Sequence, residues 1–128
     1  MTAVPDRDKP ELDYPDVLPP SYLDVEDLVD GQGTPVDFGR VVTVRLVGWA
    51  FSTGEEFVST WEDASPMDIP LGSGVLVSGL EEGLLGMRVG GRRRVIVPPS
   101  RGFADAGHGA AVRPGETLMY VVDLLAVR

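Results

Sequence analysis

Apolar residues recur along this chain mostly with a period of two. Between Val41 and Val47, Val42, Val44 and Leu46 alternate with Thr43 and Arg45, which predicts a strand with one buried face. Tyr22 to Leu28 alternates more weakly and runs into Asp30-Gly31-Gln32-Gly33, so a short edge strand and a turn are expected there. Gly48 and Gly54 bracket a connection holding Trp49 and Phe51, and Glu55 to Trp61 returns as another extended piece. Over Pro66 to Leu71, Met67, Ile69 and Leu71 alternate with Asp68 and Pro70, the proline marking an edge or irregular strand. Arg92 to Val97 alternates charge with Val95 and Val97 until Pro98-Pro99 stops it, and Thr117 to Val127 is apolar on both faces, as a central strand is.

A helical period occurs once. Val77, Leu80, Leu84 and Met87 share one face, and Ser78-Gly79-Leu80-Glu81 reads as a capping box that starts the helix near residue 78. Glu81 and Glu82 suit the positive end of the helix dipole, and Gly86 predicts a left-handed cap. Two turns are marginal in water, so this helix must be held by strands on either side. With no alternating strand-helix units, the pattern predicts an α+β fold: a five- to six-stranded antiparallel sheet wrapped around one short helix. The stretch from Ser100 to Glu116 is a glycine-containing loop long enough to be functional.

Composition adds boundaries. A chain of 128 residues with 43% apolar residues fits one domain. The net charge of −9 is uneven: nine acids against Arg7 and Lys9 give residues 1–30 a charge of −7, leaving the remainder nearly neutral. With Pro5, Pro10, Pro15, Pro19 and Pro20, residues 1–20 read as an acidic, solvated, extended arm that Tyr14, Val17 and Leu18 can pin in part, and residues 21–128 as the folded domain. The acidity speaks against nucleic acid as a partner. No run of about 18 apolar residues and no basic-then-apolar leader is present, and Cys is absent, so a cytoplasmic monomer outside the membrane is expected.

Candidate chemistry is mostly excluded. Gly72-x-Gly74 lacks dinucleotide spacing, and the lone Lys9 leaves no phosphate-binding loop. His108 is the sole histidine, which leaves no recognisable metal site, and no serine sits in a nucleophile elbow. The pairs Glu55-Glu56, Glu62-Asp63 and Glu81-Glu82 would diverge on a strand or helix, and Arg92-Arg93-Arg94 should pair with acids across strands. What remains is an apolar and aromatic site without a nucleophile, metal or cofactor.

The ordered series Leu71-Gly72-x-Gly74-Val75-Leu76-Val77-x-Gly79-Leu80-Glu81-Glu82-Gly83-Leu84-x-Gly86-Met87-x-Val89-Gly90-Gly91-Arg92-Arg93, then Val95-x-Val97-Pro98-Pro99, resembles the FKBP-type peptidyl-prolyl isomerases. The likeness continues through Gly102-Phe103, Gly107-His108, Pro114 to Leu118 and Asp123-Leu124-Leu125, and backward through Val47-Gly48, Gly54 and Phe57. It covers roughly residues 22–128, and it implies a highly twisted sheet around the helix and cis/trans isomerisation of X-Pro bonds in peptides or unfolded proteins. It also implies a pocket in which Phe57, Val77, Phe103 and Tyr120 act on the bond, while Leu46, Val58, Met67, Leu76, Leu80, His108 and Val112 bind the substrate.

Several of these positions depart from the family. Tyr120 stands for Phe, Leu76-Val77 for Val-Ile, Leu46 for Tyr, Met67 for a frequent Phe, Leu80 for Trp, Val58 for Asp, Phe103 for Tyr, and Ala111-Val112 for an Ile pair. The connection between Gly48 and Gly54 is one residue longer than in the shorter members. Three polar handles are missing, and a wider floor above Leu80 is expected, refilled by Trp61, Trp49 or Phe51. At about 0.5 to 1.5 kcal/mol per lost hydrogen bond, ligands including macrolides would bind about 10- to 1000-fold more weakly. The readings that follow are an isomerase of reduced activity, or a non-catalytic module that binds a client protein or macrocycle through the same groove. A third is that the apolar set serves only as core.

Overall fold

The computed structural model describes residues 7–15, 18–62 and 66–128, with the Asp105 side chain left aside. The expectations placed on Pro5, Asp6, Asp16, Val17, Asp63 and Ser65 lie outside the described residues. Among the described residues are six strands and one α-helix: β1 Asp24–Val29, β2 Val41–Ala50, β3 Glu56–Ser59, β4 Met67–Pro70, α1 Ser78–Gly83, β5 Arg92–Val97 and β6 Leu118–Val127. They form one antiparallel sheet in the order β1-β5-β6-β2-β3, and β4 pairs with the other end of β2. β3 and β4 therefore follow one another along the same edge, β3 beside Val47 to Trp49 and β4 beside Val41 to Val44.

The two-residue period explains both faces of the sheet. On the inner face Val42, Val44, Leu46, Val95, Val97, Leu118, Val122 and Leu124 are buried with Leu80, Leu84 and Met87 from the helix region. On the outer face Val47, Trp49, Phe51, Ile96, Met119 and Val121 form a second buried cluster. β6 lies between β5 and β2 and is apolar on both faces because each face has its own core. β2 runs through Gly48 to Ala50, so the connection expected from Gly48 to Gly54 is shortened to the turn after Ala50. Trp49 follows Val47 at the strand period, which sends it to the outer face.

Residues 7–15 cover that outer face without forming a helix or strand. Leu12 packs on the outer cluster, Tyr14 stands edge-on to Phe51 and donates its hydroxyl to the Phe51 carbonyl at 2.8 Å, and Trp61 Nε1 donates to the Arg7 carbonyl at 3.0 Å. Lys9 pairs with Glu56 at 2.7 Å and with Glu62. Residues 7–15 are thus extended and at least partly exposed, yet Lys9, Leu12 and Tyr14 find partners on or beside the sheet.

The helix is held rather than self-sustaining. The expected capping box does not form, because Val77 occupies the cap position and Ser78 already lies in the first turn. The Ser78 hydroxyl donates to the Arg101 carbonyl, and Glu81 turns away to accept the Gly72 N–H at 2.7 Å. Glu82 pairs with Arg101. Gly86 is left-handed, with φ of 80°, beyond Leu84 at the helix end. Gly79 and Gly83 face β5 so closely that a Cβ on them would stand 2.6 Å from Val97 Cγ1 and 2.7 Å from Val95 Cγ1. At the other end Arg93, 8% exposed, donates to the carbonyls of Gly83 at 2.9 Å and Leu85 at 3.0 Å. Its remaining donors form a bidentate pair with Asp27 of β1 at 2.6 and 3.1 Å.

Arg93→Ala leaves those helix-end carbonyls and the Asp27 carboxylate without their donor, and is expected to cost about 2 to 4 kcal/mol in urea unfolding. The Lys9 tie is exposed and should respond to pH. The hydrogen bond from Lys9 first, then that from Ser59, holds the Glu62 carboxyl at about 2, below the usual carboxylate range. Its contribution is thus present above about pH 4.5 and lost as pH falls toward 2. The difference in thermal midpoint between the natural chain and Lys9→Ala should accordingly shrink over that window.

Candidate functional site

At one end of the inner face, four strands and two loops converge on an apolar recess of about 320 Å³. β2 supplies Leu46, β3 supplies Phe57 and Val58, β4 supplies Met67, and β6 supplies Tyr120; the segment before the helix supplies Gly74 to Val77, and the loop after β5 supplies Phe103 and His108. Two other recesses, one beside Asp30 and Arg88 and one between residues 10–13 and Arg92, have charged linings.

The walls are aromatic. Phe57 stands edge-on to Tyr120 at 5.6 Å between ring centroids, to Phe103 at 6.1 Å and to His108 at 6.4 Å. Phe103 and His108 stack at 4.5 Å with only 10° between their planes. The loop that carries them is closed by a pair of backbone hydrogen bonds between His108 and Val112, at 2.8 and 3.3 Å. Gly48 lets the walls meet: a Cβ there would stand 2.9 Å from Phe57 Cζ, Tyr120 Cε1 and Val58 Cγ1 at once. Behind Leu46, Thr60 accepts the Leu46 N–H on its hydroxyl and donates its own N–H to the Leu46 carbonyl, both at 2.9 Å.

Electrostatically the recess is quiet. Burial pushes the Tyr120 phenol well above its ordinary range, so it is neutral in water near neutral pH. The Val77 N–H donates to no acceptor among the described residues, and the tie between Glu81 and Gly72 braces the segment that presents it.

Nine of the eleven residues expected at the site line this recess. Leu80 and Val112 do not; at 0% and 1% exposure they belong to the core. Leu80 is fully covered and so does not form an exposed floor of the recess. Trp49 and Phe51 belong to the outer cluster and Trp61 packs against it, so they do not refill the recess. Gly74 and Val75 were not anticipated; their adjacency to Leu76-Val77 was the available signal, and Val75, 60% exposed, forms part of the lip.

Residues 33–125 match the family model of the FKBP-type peptidyl-prolyl cis-trans isomerase. The chain belongs to that family. It is an isomerase of X-Pro peptide bonds. An FK506-binding protein of Streptomyces anulatus is 45% identical over 121 residues, which are 94% of this chain and 98% of that protein. A probable FK506-binding protein of Corynebacterium glutamicum is 36% identical over 93% of this chain and 98% of its own. The crystal structure of FkpA from Escherichia coli superposes with a TM-score of 0.74 at 26% identity, covering 83% of this chain and 48% of FkpA. That of AtFKBP13, with a TM-score of 0.76 at 24% identity over 87% and 97%, shows the same fold. Among the described residues no helix is long and apolar enough to cross a membrane.

Because one hydrogen of Gly48 is what separates three walls of the recess, Gly48→Ala should displace them by a good fraction of an ångström. The expected result is a folded protein, less stable by about 1 to 3 kcal/mol, whose kcat/KM on a prolyl peptide falls about 10- to 100-fold. Thermal unfolding and an exchange assay check the two parts.

Proposed function

We propose that the recess bounded by Phe57, Phe103, Tyr120 and the Leu76-Val77 segment holds the prolyl ring, and that this isomerase works at a reduced rate because few polar groups orient the substrate. The observation that carries the reading is the lining: of eleven residues only His108 and Tyr120 bear polar side chains, and His108 is exposed at the rim. Isomerisation needs no proton or electron transfer. The barrier of about 18 to 20 kcal/mol comes from the partial double bond of the amide, which is lost when the bond twists. An apolar recess disfavours the charge-separated planar form and fits the twisted one, so differential binding lowers the barrier. The Val77 N–H anchors a substrate carbonyl and the rings enclose the pyrrolidine. Leu46, Val58 and Met67 complete the walls, while Leu80 and Val112 support them from the core.

The names of the Streptomyces and Corynebacterium relatives extend the reading to FK506, taken weakly by the same recess. The favoured substrates are exposed X-Pro segments of peptides or unfolded chains.

A prolyl-peptide exchange assay at micromolar enzyme tests this. The expected rate is above the uncatalysed one, and Leu46→Tyr, Val58→Asp and Phe103→Tyr together should raise kcat/KM by tenfold or more. No rate above background overturns the activity; an unchanged rate in the folded triple variant overturns the account of why it is reduced. A chain without catalysis whose Val77 amide still responds to prolyl peptides would instead be a binding module.

A further inference from the structure

The Tyr120 ring is buried, with the residue 4% exposed, packed edge-on against Phe57 at 5.6 Å and seated beside Gly48. Its hydroxyl donates to no group among the described residues. Yet among those residues no buried side-chain nitrogen or oxygen lacks a partner. Tyr120 keeps a small exposure and lines the recess, although burial desolvates the phenol. The result is a rigid, nearly buried phenol on the recess wall whose hydroxyl has no partner among the described residues, a donor held in place before any ligand arrives.

We propose that the Tyr120 hydroxyl is the specificity-determining side-chain donor of the recess, and that it bonds a carbonyl oxygen flanking the imide of a bound X-Pro peptide. This rests on the reading of the recess as the X-Pro site. The acceptor follows from the chemistry of the bond being turned. A hydrogen bond to the imide oxygen itself would favour the planar resonance form and raise the barrier. A bond to a neighbouring carbonyl fixes the ligand without resisting the twist. His108 is the other polar side chain in the lining, but it is exposed and lies flat against Phe103, so the enclosed part of the recess has one side-chain donor. Burial keeps that phenol protonated well beyond neutral pH. Because the flanking carbonyl is bonded alike in the planar and twisted states, its loss is expressed in KM rather than kcat.

Tyr120→Phe removes the oxygen and keeps the ring. The expected result is a two- to tenfold rise in KM for a prolyl peptide with kcat within twofold, and an equal loss of affinity for that peptide by calorimetry. The thermal midpoint should not fall, since no bond within the protein is lost. Equal KM and equal affinity in the two proteins overturn the proposal, as does a lowered midpoint with affinity unchanged, which would make the hydroxyl structural. If the natural chain binds the peptide but does not turn it over, the proposed function fails while the affinity comparison still decides the role of Tyr120. A natural chain that neither binds nor isomerises overturns both.

Discussion

The arrangement turns on the Arg93 guanidinium. From β5 it reaches the edge strand through Asp27 and the helix end through two carbonyls, so one planar group ties the helix end to two strands that already pair with each other. Charge-assisted bidentate pairs are among the stronger and more directional bonds a protein makes. Here the direction counts as much as the strength. A helix of six residues has too few internal bonds to persist alone, and the last carbonyls of any helix lack internal partners. Arg93 supplies those partners, and Gly79 and Gly83 let the helix settle on Val95 and Val97. The helix start is then fixed relative to the sheet, and the Leu76-Val77 wall with it.

Most of the fold could be read from alternation. Val42, Val44 and Leu46 point inward because the strand period is two, and the segment Thr117 to Val127, with apolar residues on both faces, announced a strand covered on both sides. The single run with a helical period became α1 within a residue of its expected start. The capping box illustrates how such motifs fail: Ser-x-x-Glu is a local pattern, and the tertiary partners of Ser78 and Glu81, Arg101 and Gly72, outcompete the local bonds. Nor could composition show what residues 7–15 do. Their charge predicts solvation, but Lys9, Leu12 and Tyr14 meet Glu56, the outer cluster and Phe51 only once the sheet exists.

The recess was legible for a different reason. Phe57, the loop that carries Phe103 and His108, and Tyr120 come from separate parts of the sequence and no periodicity links them; the likeness to a family brought them together, and the geometry shows how they fit. Leu80 marks the limit of carrying positions across. Its place in the helix is kept, but the side chain lies wholly within the inner core and not on the recess surface, packed as interiors are.

The outer face has a consequence for how this protein can be observed. Its two tryptophans, Trp49 and Trp61, both sit on the side of the sheet away from the recess, one in the outer cluster and one bonded to the Arg7 carbonyl with Arg92 over its ring at 5.8 Å. Their fluorescence therefore reports first on the seating of residues 7–15, whereas the aromatic side chains that face the recess are Phe57, Phe103, His108 and Tyr120. A change in tryptophan emission on adding a compound would point first to the amino-terminal segment, and a bound prolyl ligand is followed more directly through its own label, its heat, or the tyrosine band.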